Sequence, residues 1–367
     1  MSRLMLLGNP GTKRTRYLEK GAALWGVQLC LLDWKEFPKN LLSQDSGAGP
    51  FFLKIDPPLW DSCCLEQLSG LTWEYKENLM ELARQGSRGK ICFFNDPKTI
   101  KALLDKRGCK RRLREMGIPV TEELEFFDWE GGKKEGPGQY PRFSDLLDAM
   151  KDQGIFQVFL KPNYGSGAAG VMALRCDPAK GQMVLYTCAA KDPETGRLVN
   201  TKRLRRFGDR QQVSDMAQLL LRQDCIAERW YPKAEHNGHS YDLRVVVQDG
   251  EVDFALARLS KGPITNLQLN NRPLKAEELG LSDSVWDRVR QICLKAAGCY
   301  PGLRSAGIDI LLEKGSLRPR VIEMNGQGDL IYQDIYGENR IYQKQGKMMR
   351  EWQMRRQWED RIWKNTC

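Results

Sequence analysis

The chain reads as an α/β domain followed by a larger α+β region of antiparallel strands. Two patterns predict this. Over roughly the first ninety residues, short apolar runs alternate with segments of helical spacing, which implies a parallel sheet covered on both faces. Further along, apolar runs are separated by tight-turn signals, among them Asp249-Gly250, which marks a type I′ hairpin turn. With 367 residues there is room for two or three domains and a large core.

Element by element, RLMLLGNP is a buried strand ending in a turn, residues 13–25 form a helix, and VQLCLLDW is a second strand. FFLKIDPP is a strand stopped by two prolines, residues 65–84 have helical spacing, and KICFFNDP is a fourth strand. In NDPKTIKALLDK, Asn95 or Asp96 caps a helix and Pro97 takes its first position. The Gly/Lys-rich residues 131–141 read as an exposed loop, and Ser144 as the cap of a short helix that Gly154 ends. FQVFLKPNYGSGAAGVMAL is strand, glycine-rich turn, strand, and VVVQDGEVDFALAR is the Asp249-Gly250 hairpin. REWQMRRQWEDRIWKN is an amphipathic helix whose Trp352, Trp358 and Trp363 are expected to pack onto the body. The expected domains are 1–94, 95–225, 226–345 and the helix 346–367.

Composition, at 41% hydrophobic and 28% charged, is that of a soluble globular protein. No apolar run approaches the roughly 20 residues that span a bilayer, and the run in MSRLMLLGNPGTKR is too short for a signal peptide. A cytoplasmic protein with no membrane partner is expected. The eleven cysteines are scattered without a CxxC pair. His236 and His239, the only histidines, flank Asn237-Gly238 and read as polar loop residues rather than zinc ligands. The net charge of +10 favours anionic partners. Residues 105–115 and 201–210 are basic clusters, but acidic residues lie among them and no RNA-binding aromatic motif accompanies them. Solvated helix faces are expected there, not a nucleic-acid interface.

Candidate chemistry gathers at the far end of the chain. GIDILLEKGSLRPRVIEMN is two apolar strands around a turn, and a hairpin folded near Ser316 sets Asp309 opposite Glu323, with Asn325 on the side of Glu323. Two carboxylates and an amide oxygen are hard ligands suited to Mg²⁺. An ordinary exposed polar face is the alternative. Upstream, Lys161 ends an apolar strand directly before PNYGSGAAG, whose glycines let backbone N–H groups approach a polyanion. CIAERWYP is an apolar strand able to offer backbone groups to an adenine edge. YDLRVVV puts Asp242 and Arg244 two apart on one strand face, suited to ribose hydroxyls and an anion, with Arg258 a second candidate cation. Taken singly, Asp242, Arg244 and Arg258 are more commonly surface ion pairs, and a flexible hairpin loop is the alternative for the glycine-rich turn.

The order of these motifs resembles the ATP-grasp superfamily, and is similar in particular to carboxylate–amine ligases of the ribosomal-protein glutamate ligase type. The resemblance covers residues 95–345. It implies a Rossmann-like pre-ATP-grasp domain before a two-lobed ATP-grasp fold with antiparallel sheets. DKRGCKRRLREMGIPV resembles the opening helix, implying that Lys106 reaches the nucleotide phosphates. LKPNYGSGAAGV matches the strand and glycine loop, implying Lys161 and the backbone of Gly165, Ser166, Gly167, Ala168 and Gly170. AERWY implies that Glu228, Arg229 and Trp230 meet the base, and SYDLR that Asp242 holds ribose beside Arg244. ARLSKGPITNLQLNN implies Arg258 at the triphosphate and Asn266 near substrate, and GIDIL with VIEMN implies the Mg²⁺ triad Asp309, Glu323 and Asn325.

The departure follows the triad. The family commonly continues N-x-x-P-G, whereas here Asn325 is followed by Gly-Gln-Gly-Asp-Leu, and Asn270 replaces a glycine. Both segments border the acceptor pocket. The activity implied is ATP-dependent ligation through an acylphosphate, with ATP and Mg²⁺ (or Mn²⁺), a carboxylate substrate, and an amine or other nucleophile. Lys161, Arg244 and Arg258 would be the catalytic cations. Related ligases are often dimers or tetramers, so a homo-oligomer is an open expectation. A nucleotide-binding regulator on the same fold and a phosphotransferase are the alternatives.

Overall fold

The first sheet is parallel, in strand order β2-β1-β3-β4, from β1 (Leu4–Gly8), β2 (Leu29–Asp33), β3 (Phe51–Ile55) and β4 (Ile91–Phe93). Its connecting helices are α1 (Lys13–Ala23), α2 (Lys39–Leu42) and α3 (Leu65–Gly86). Alternate residues of the buried strands face opposite layers, as the pleat requires. Met5, Leu7 and Leu53 pack with Tyr75, Leu79 and Leu82 of α3. Leu4, Leu6 and Phe52 pack with Leu18 of α1 and with Met349 and Trp352 of α9 (Arg340–Thr366). The C-terminal helix therefore completes the layer over the first sheet, and Trp352 sits 4.8 Å from Phe52, ring to ring.

The computed structural model describes residues 3–42, 50–87, 89–127, 140–165, 167–266, 271–327 and 335–366, without the side chains of Lys202 and residues 357–366. Nearly all of the loop 131–141, Ser166, Asn270 and the Trp358 and Trp363 side chains lie outside the described residues.

α4 (Pro97–Leu104) and α5 (Lys106–Glu115) lead into a second sheet ordered β5-β10-β6-β7-β8-β9. Its strands are β5 (Glu123–Leu124), β6 (Gln157–Pro162), β7 (Met172–Asp177), β8 (Gln182–Lys191), β9 (Leu198–Phe207) and β10 (Cys225–Arg229). α6 (Phe143–Asp152) and α7 (Arg210–Leu221) cover one face through Leu146, Met150, Val213 and Leu220.

The third sheet runs β14-β13-β12-β15-β16, with β11 (Glu235–His236) beside β12. It is built from β12 (His239–Gln248), β13 (Glu251–Ser260), β14 (Arg272–Lys275), β15 (Ser305–Leu312) and β16 (Pro319–Asn325). α8 (Asp283–Gly298) and α5 pack on it through Val289, Cys293 and Leu113, against Leu243 and Ile308.

The expected β12–β13 hairpin is present, with Asp249 at φ 51° and Gly250 at φ 79°, the two left-handed positions a type I′ turn needs. Asp96 caps α4 ahead of Pro97, its side chain accepting the Lys98 N–H. Two readings are corrected. Ser144 lies inside α6, whose cap is Arg142: the Asp145 carboxylate reaches back to the Arg142 N–H at 2.8 Å. Of the two basic clusters, residues 201–207 are edge strand, and α5 turns Lys110 inward, 2% exposed, onto Glu228. Neither cluster is simply a solvated helix face.

Candidate functional site

Between the second and third sheets lies a cavity. Lys106, Lys161, Gly165, Gly167, Ala168, Glu228, Arg229, Asp242, Arg258, Asn266, Asp309 and Glu323 all line it. Gly170, Trp230, Arg244 and Asn325 do not. Trp230 is committed elsewhere, its N–H donating to the Gln157 carbonyl and its own carbonyl accepting from the Gln157 side chain. Tyr231 lines the cavity at that corner instead.

The α5 N-terminus and the glycine turn are fastened together. Asn163 accepts the Arg107 N–H at 2.9 Å, and Lys106 Nζ donates to the Gly165 carbonyl at 2.7 Å. The turn itself takes left-handed backbone at Gly167 (φ 67°), Ala168 (φ 61°) and Gly170 (φ 72°). Glycine adopts that conformation freely, and Ala168 at some cost.

Glu228 is the hub of one wall. Its Oε2 accepts from Lys161 Nζ at 2.9 Å and from the Thr121 hydroxyl at 2.7 Å, with Lys110 Nζ at 3.3 Å. Burial alone would raise this carboxyl, but Lys110 and Lys161 overcome it and hold it below the usual range. Its other oxygen, Oε1, is buried with no hydrogen-bond partner.

The opposite wall is a ladder of charge across four strands. Strand register pairs Asp242 with Arg258, Arg244 with Asp309, and Asp309 with Glu323. Arg258 Nε donates to Asp242 at 2.7 Å while its Nη2 reaches Asp309 at 2.9 Å. Asp242 also takes the Thr265 hydroxyl and Lys233, so protein donors engage both its oxygens. Arg244 Nε lies 2.6 Å from Asp309 Oδ1, yet neither atom makes an aligned hydrogen bond, and Arg244 Nη1 is likewise buried without one. The β15–β16 register shifts directly after Asp309, an irregularity of the kind that re-aims side chains at sites.

Burial raises the Asp309 carboxyl, against the pull of Arg244 and Arg258. Burial also opposes ionisation of Glu323, but Lys106, Lys161 and Arg244 prevail and bring it to about 2. Asn325 turns its Nδ2 toward Glu323 Oε1 at 3.4 Å. Asp309, Glu323 and Asn325 thus cluster hard oxygen donors, with Asp309 Oδ1 facing Arg244 Nε at 2.6 Å, and by its chemistry this set fits a Mg²⁺ ion. Among the described residues, no group of three His, Cys, Asp or Glu is placed to hold a metal.

Sequence reasoning missed Lys110, Lys233, Thr121 and Thr265. Lys110 had a signal: four residues after Lys106, it shares that helix face. The divergent Gly326-Gln327 segment also acquires a role. Asn95 Nδ2 donates to the Gly326 carbonyl at 2.6 Å and Gln327 Nε2 to the Ile55 carbonyl at 2.5 Å, tying the end of β16 to the end of β3 and the residues just before α4.

No protein-family model matches the chain, and no curated protein matches it. Solved structures do. ATP-grasp ligase PsnB, complexed with minimal precursor, Mg and ADP, superposes with TM-score 0.56 at 15% identity, over 95% of this chain and 98% of that one. Macrocyclase MdnC bound with precursor peptide MdnA, from Microcystis aeruginosa MRC, gives 0.57 at 12% identity, over 95% and 99%. D-alanine–D-alanine ligase from Bacillus anthracis, complexed with ATP, gives 0.55 at 13% identity, over 97% and 99%. What is shared at these identities is the fold.

Proposed function

With the ATP-grasp fold as the premise, we propose that this chain is an ATP-dependent carboxylate–amine ligase working through an acylphosphate. The observation that carries the reading is convergence. Lys106 and Lys161 from one side, and Arg258, Asp309 and Glu323 from the other, line one cavity beside a glycine turn. In the first step a substrate carboxylate oxygen attacks the γ-phosphorus, the bond to the β–γ bridging oxygen breaks, and ADP leaves. In the second an amine nitrogen bonds to the acyl carbon, the carbon–oxygen bond to phosphate breaks, and the amine loses a proton.

The protein's part in both steps is positioning and charge stabilisation. Asp309, Glu323 and Asn325 would hold Mg²⁺, which when bound neutralises charge on phosphate oxygens. Lys161 is set by Glu228 and Lys106 by the Gly165 carbonyl, so both ammonium groups are ordered beside the turn. Arg244, outside the cavity lining and 2.6 Å from Asp309 Oδ1 through its Nε, would position that carboxylate. The orphaned Glu228 Oε1 is an acceptor for the exocyclic amine of adenine, where guanine would present a carbonyl. Movement of the glycine turn over the site would keep water from the acylphosphate. PsnB and MdnC were solved with precursor peptides, so a peptide is one substrate class to assay, alongside small acids and amines.

The test is release of ADP and phosphate from Mg·ATP across a panel of carboxylic acids and amines. Turnover needing both partners and yielding an amide is expected, with ATP preferred to GTP by about tenfold or more. A stable phosphorylated product would instead make this a phosphotransferase. Mg·ATP binding without turnover on any pair would favour a regulatory protein, and absence of magnesium-dependent ATP binding would remove the reading altogether.

A further inference from the structure

α3 touches the glycine turn at both of its ends. At the start of the helix, Leu65 packs against Gly170, where a Cβ would meet Leu65 Cδ1 at 2.9 Å. About three helical turns further on, Lys76 Nζ lies 3.7 Å from the centre of the Tyr164 ring. Tyr164 is the residue directly before Gly165. Trp73, on the same face of α3, brings its ring to 4.5 Å from the same ammonium. The neighbouring Tyr75 hydroxyl donates to Gln327 Oε1, just beyond β16. One helix packed on the first sheet therefore contacts the turn and the chain that leaves Asn325.

Lys76 is 6% exposed. Burial disfavours its charge, while Asp105 and Asp224 favour it. A leucine would fill this space with less desolvation, so packing alone does not call for a cation here. Two ring faces do, and their attraction for an ammonium strengthens as water is excluded. Upstream, Asn163 is already fixed, its N–H and Nδ2 donating to Asp224 and its Oδ1 accepting the Arg107 N–H. Tyr164 is then the last side chain before the turn, and what holds it places the Gly165 carbonyl that accepts Lys106 Nζ at 2.7 Å. We propose that Lys76 is a positioning residue for the nucleotide site: through Tyr164 it fixes the entry of the glycine turn, and through Gly165 the ammonium of Lys106. Its effect on nucleotide rests on the ligase reading, whereas the anchoring of Tyr164 does not.

The experiment is amide hydrogen exchange by mass spectrometry on the full chain without nucleotide. It follows peptides carrying Asn163 and Val171, whose N–H groups donate to the Asp224 and Ala168 carbonyls. Lys76→Met is expected to speed their exchange about tenfold and to leave α8 within about twofold of wild type. Lys76→Arg keeps a cation over the rings and should restore the wild-type rate within about twofold. Tyr164→Leu should match Lys76→Met, and the double variant should exceed neither by more than about twofold, because both remove one contact. Mg²⁺ with a non-hydrolysable ATP analogue is expected to bind Lys76→Met about fivefold or more weakly, and Lys76→Arg as wild type. If Lys76→Met fails to fold by thermal melt, Tyr164→Leu carries the test, with Tyr164→Phe as the variant that keeps the ring. Unchanged exchange in the folded variant, no rescue by arginine, or additive single effects would show packing alone and overturn the proposal. Faster exchange with undiminished nucleotide affinity would overturn it too. A wild-type chain that binds no nucleotide would count against the ligase reading, while the exchange rates still decide whether Lys76 anchors the turn.

Discussion

Glu228 holds three donors on one oxygen, so its charge is what allows Lys110 and Lys161 to share a buried wall. Neutralising it leaves two buried ammonium groups facing each other. Glu228→Gln is therefore expected to lower unfolding free energy by about 3–5 kcal/mol, the usual cost of breaking a buried pair, measured by urea titration. A loss no larger than that of a surface substitution would show the lysines to be independent of it. Glu323→Ala is expected to lower turnover by about 10²-fold or more, because the proposed metal contact would be worth several kcal/mol. Ordinary ATP consumption by that variant would remove Glu323 from the chemistry. Much of this was legible in the sequence, because strand periodicity alone set Asp309 against Glu323 and Asp242 beside Arg244. Lys110 and Lys233 were not. The face a basic helix buries is decided by what packs on it, and only the fold brings Glu228 to Lys110.

At the scale of elements, α1 and α9 cross at two glycines. A Cβ on Gly21 would lie 2.5 Å from the Tyr342 carbonyl, and one on Gly346 would lie 2.6 Å from the Gly21 carbonyl. Backbone cannot give way there as a flexible side chain could. Gly346→Ala is thus expected to force the helices apart and cost about 1–3 kcal/mol, read from the denaturant midpoint. An unchanged midpoint would mean that the contact relaxes freely. α6 offers a pH test. The Arg142 backbone N–H, followed by the Arg142 side chain, holds the Asp145 carboxyl below its ordinary 3.8. The stabilisation is present above that value and fades as pH falls through the lowered one. Asp145→Ala should then cost about 1 kcal/mol at neutral pH and nothing in strong acid, by paired denaturation curves. An equal deficit at both pH values would exclude the capping account. The Asp249-Gly250 and Asp96-Pro97 signals were legible because their geometry is local. Ser144 misled, since a serine beside an aspartate is a plausible cap whichever of the two reaches back.

Across the whole molecule, three sheets pack with one another's helices, and α9 returns over two hundred residues of intervening chain to cover the first sheet. That return was hidden in the sequence, where the C-terminal segment shows an amphipathic face but not its partner. The cysteines report on the packing. Cys30 and Cys63 are exposed, whereas Cys225 and Cys293 are buried and burial pushes both thiols up. Alkylation at neutral pH should modify Cys30 and Cys63 first and reach Cys225 and Cys293 only on global unfolding, followed by mass spectrometry. Early labelling of Cys225 would reveal local opening beside the Lys161 strand. The account as a whole depends on two lysines and an oxygen-rich strand pair serving one nucleotide. A crystal structure with Mg²⁺ and a non-hydrolysable ATP analogue decides it. The predicted result is a triphosphate between Lys106, Lys161 and Arg258, with metal on Asp309, Glu323 and Asn325; nucleotide bound on another surface, or metal on other side chains, would contradict it.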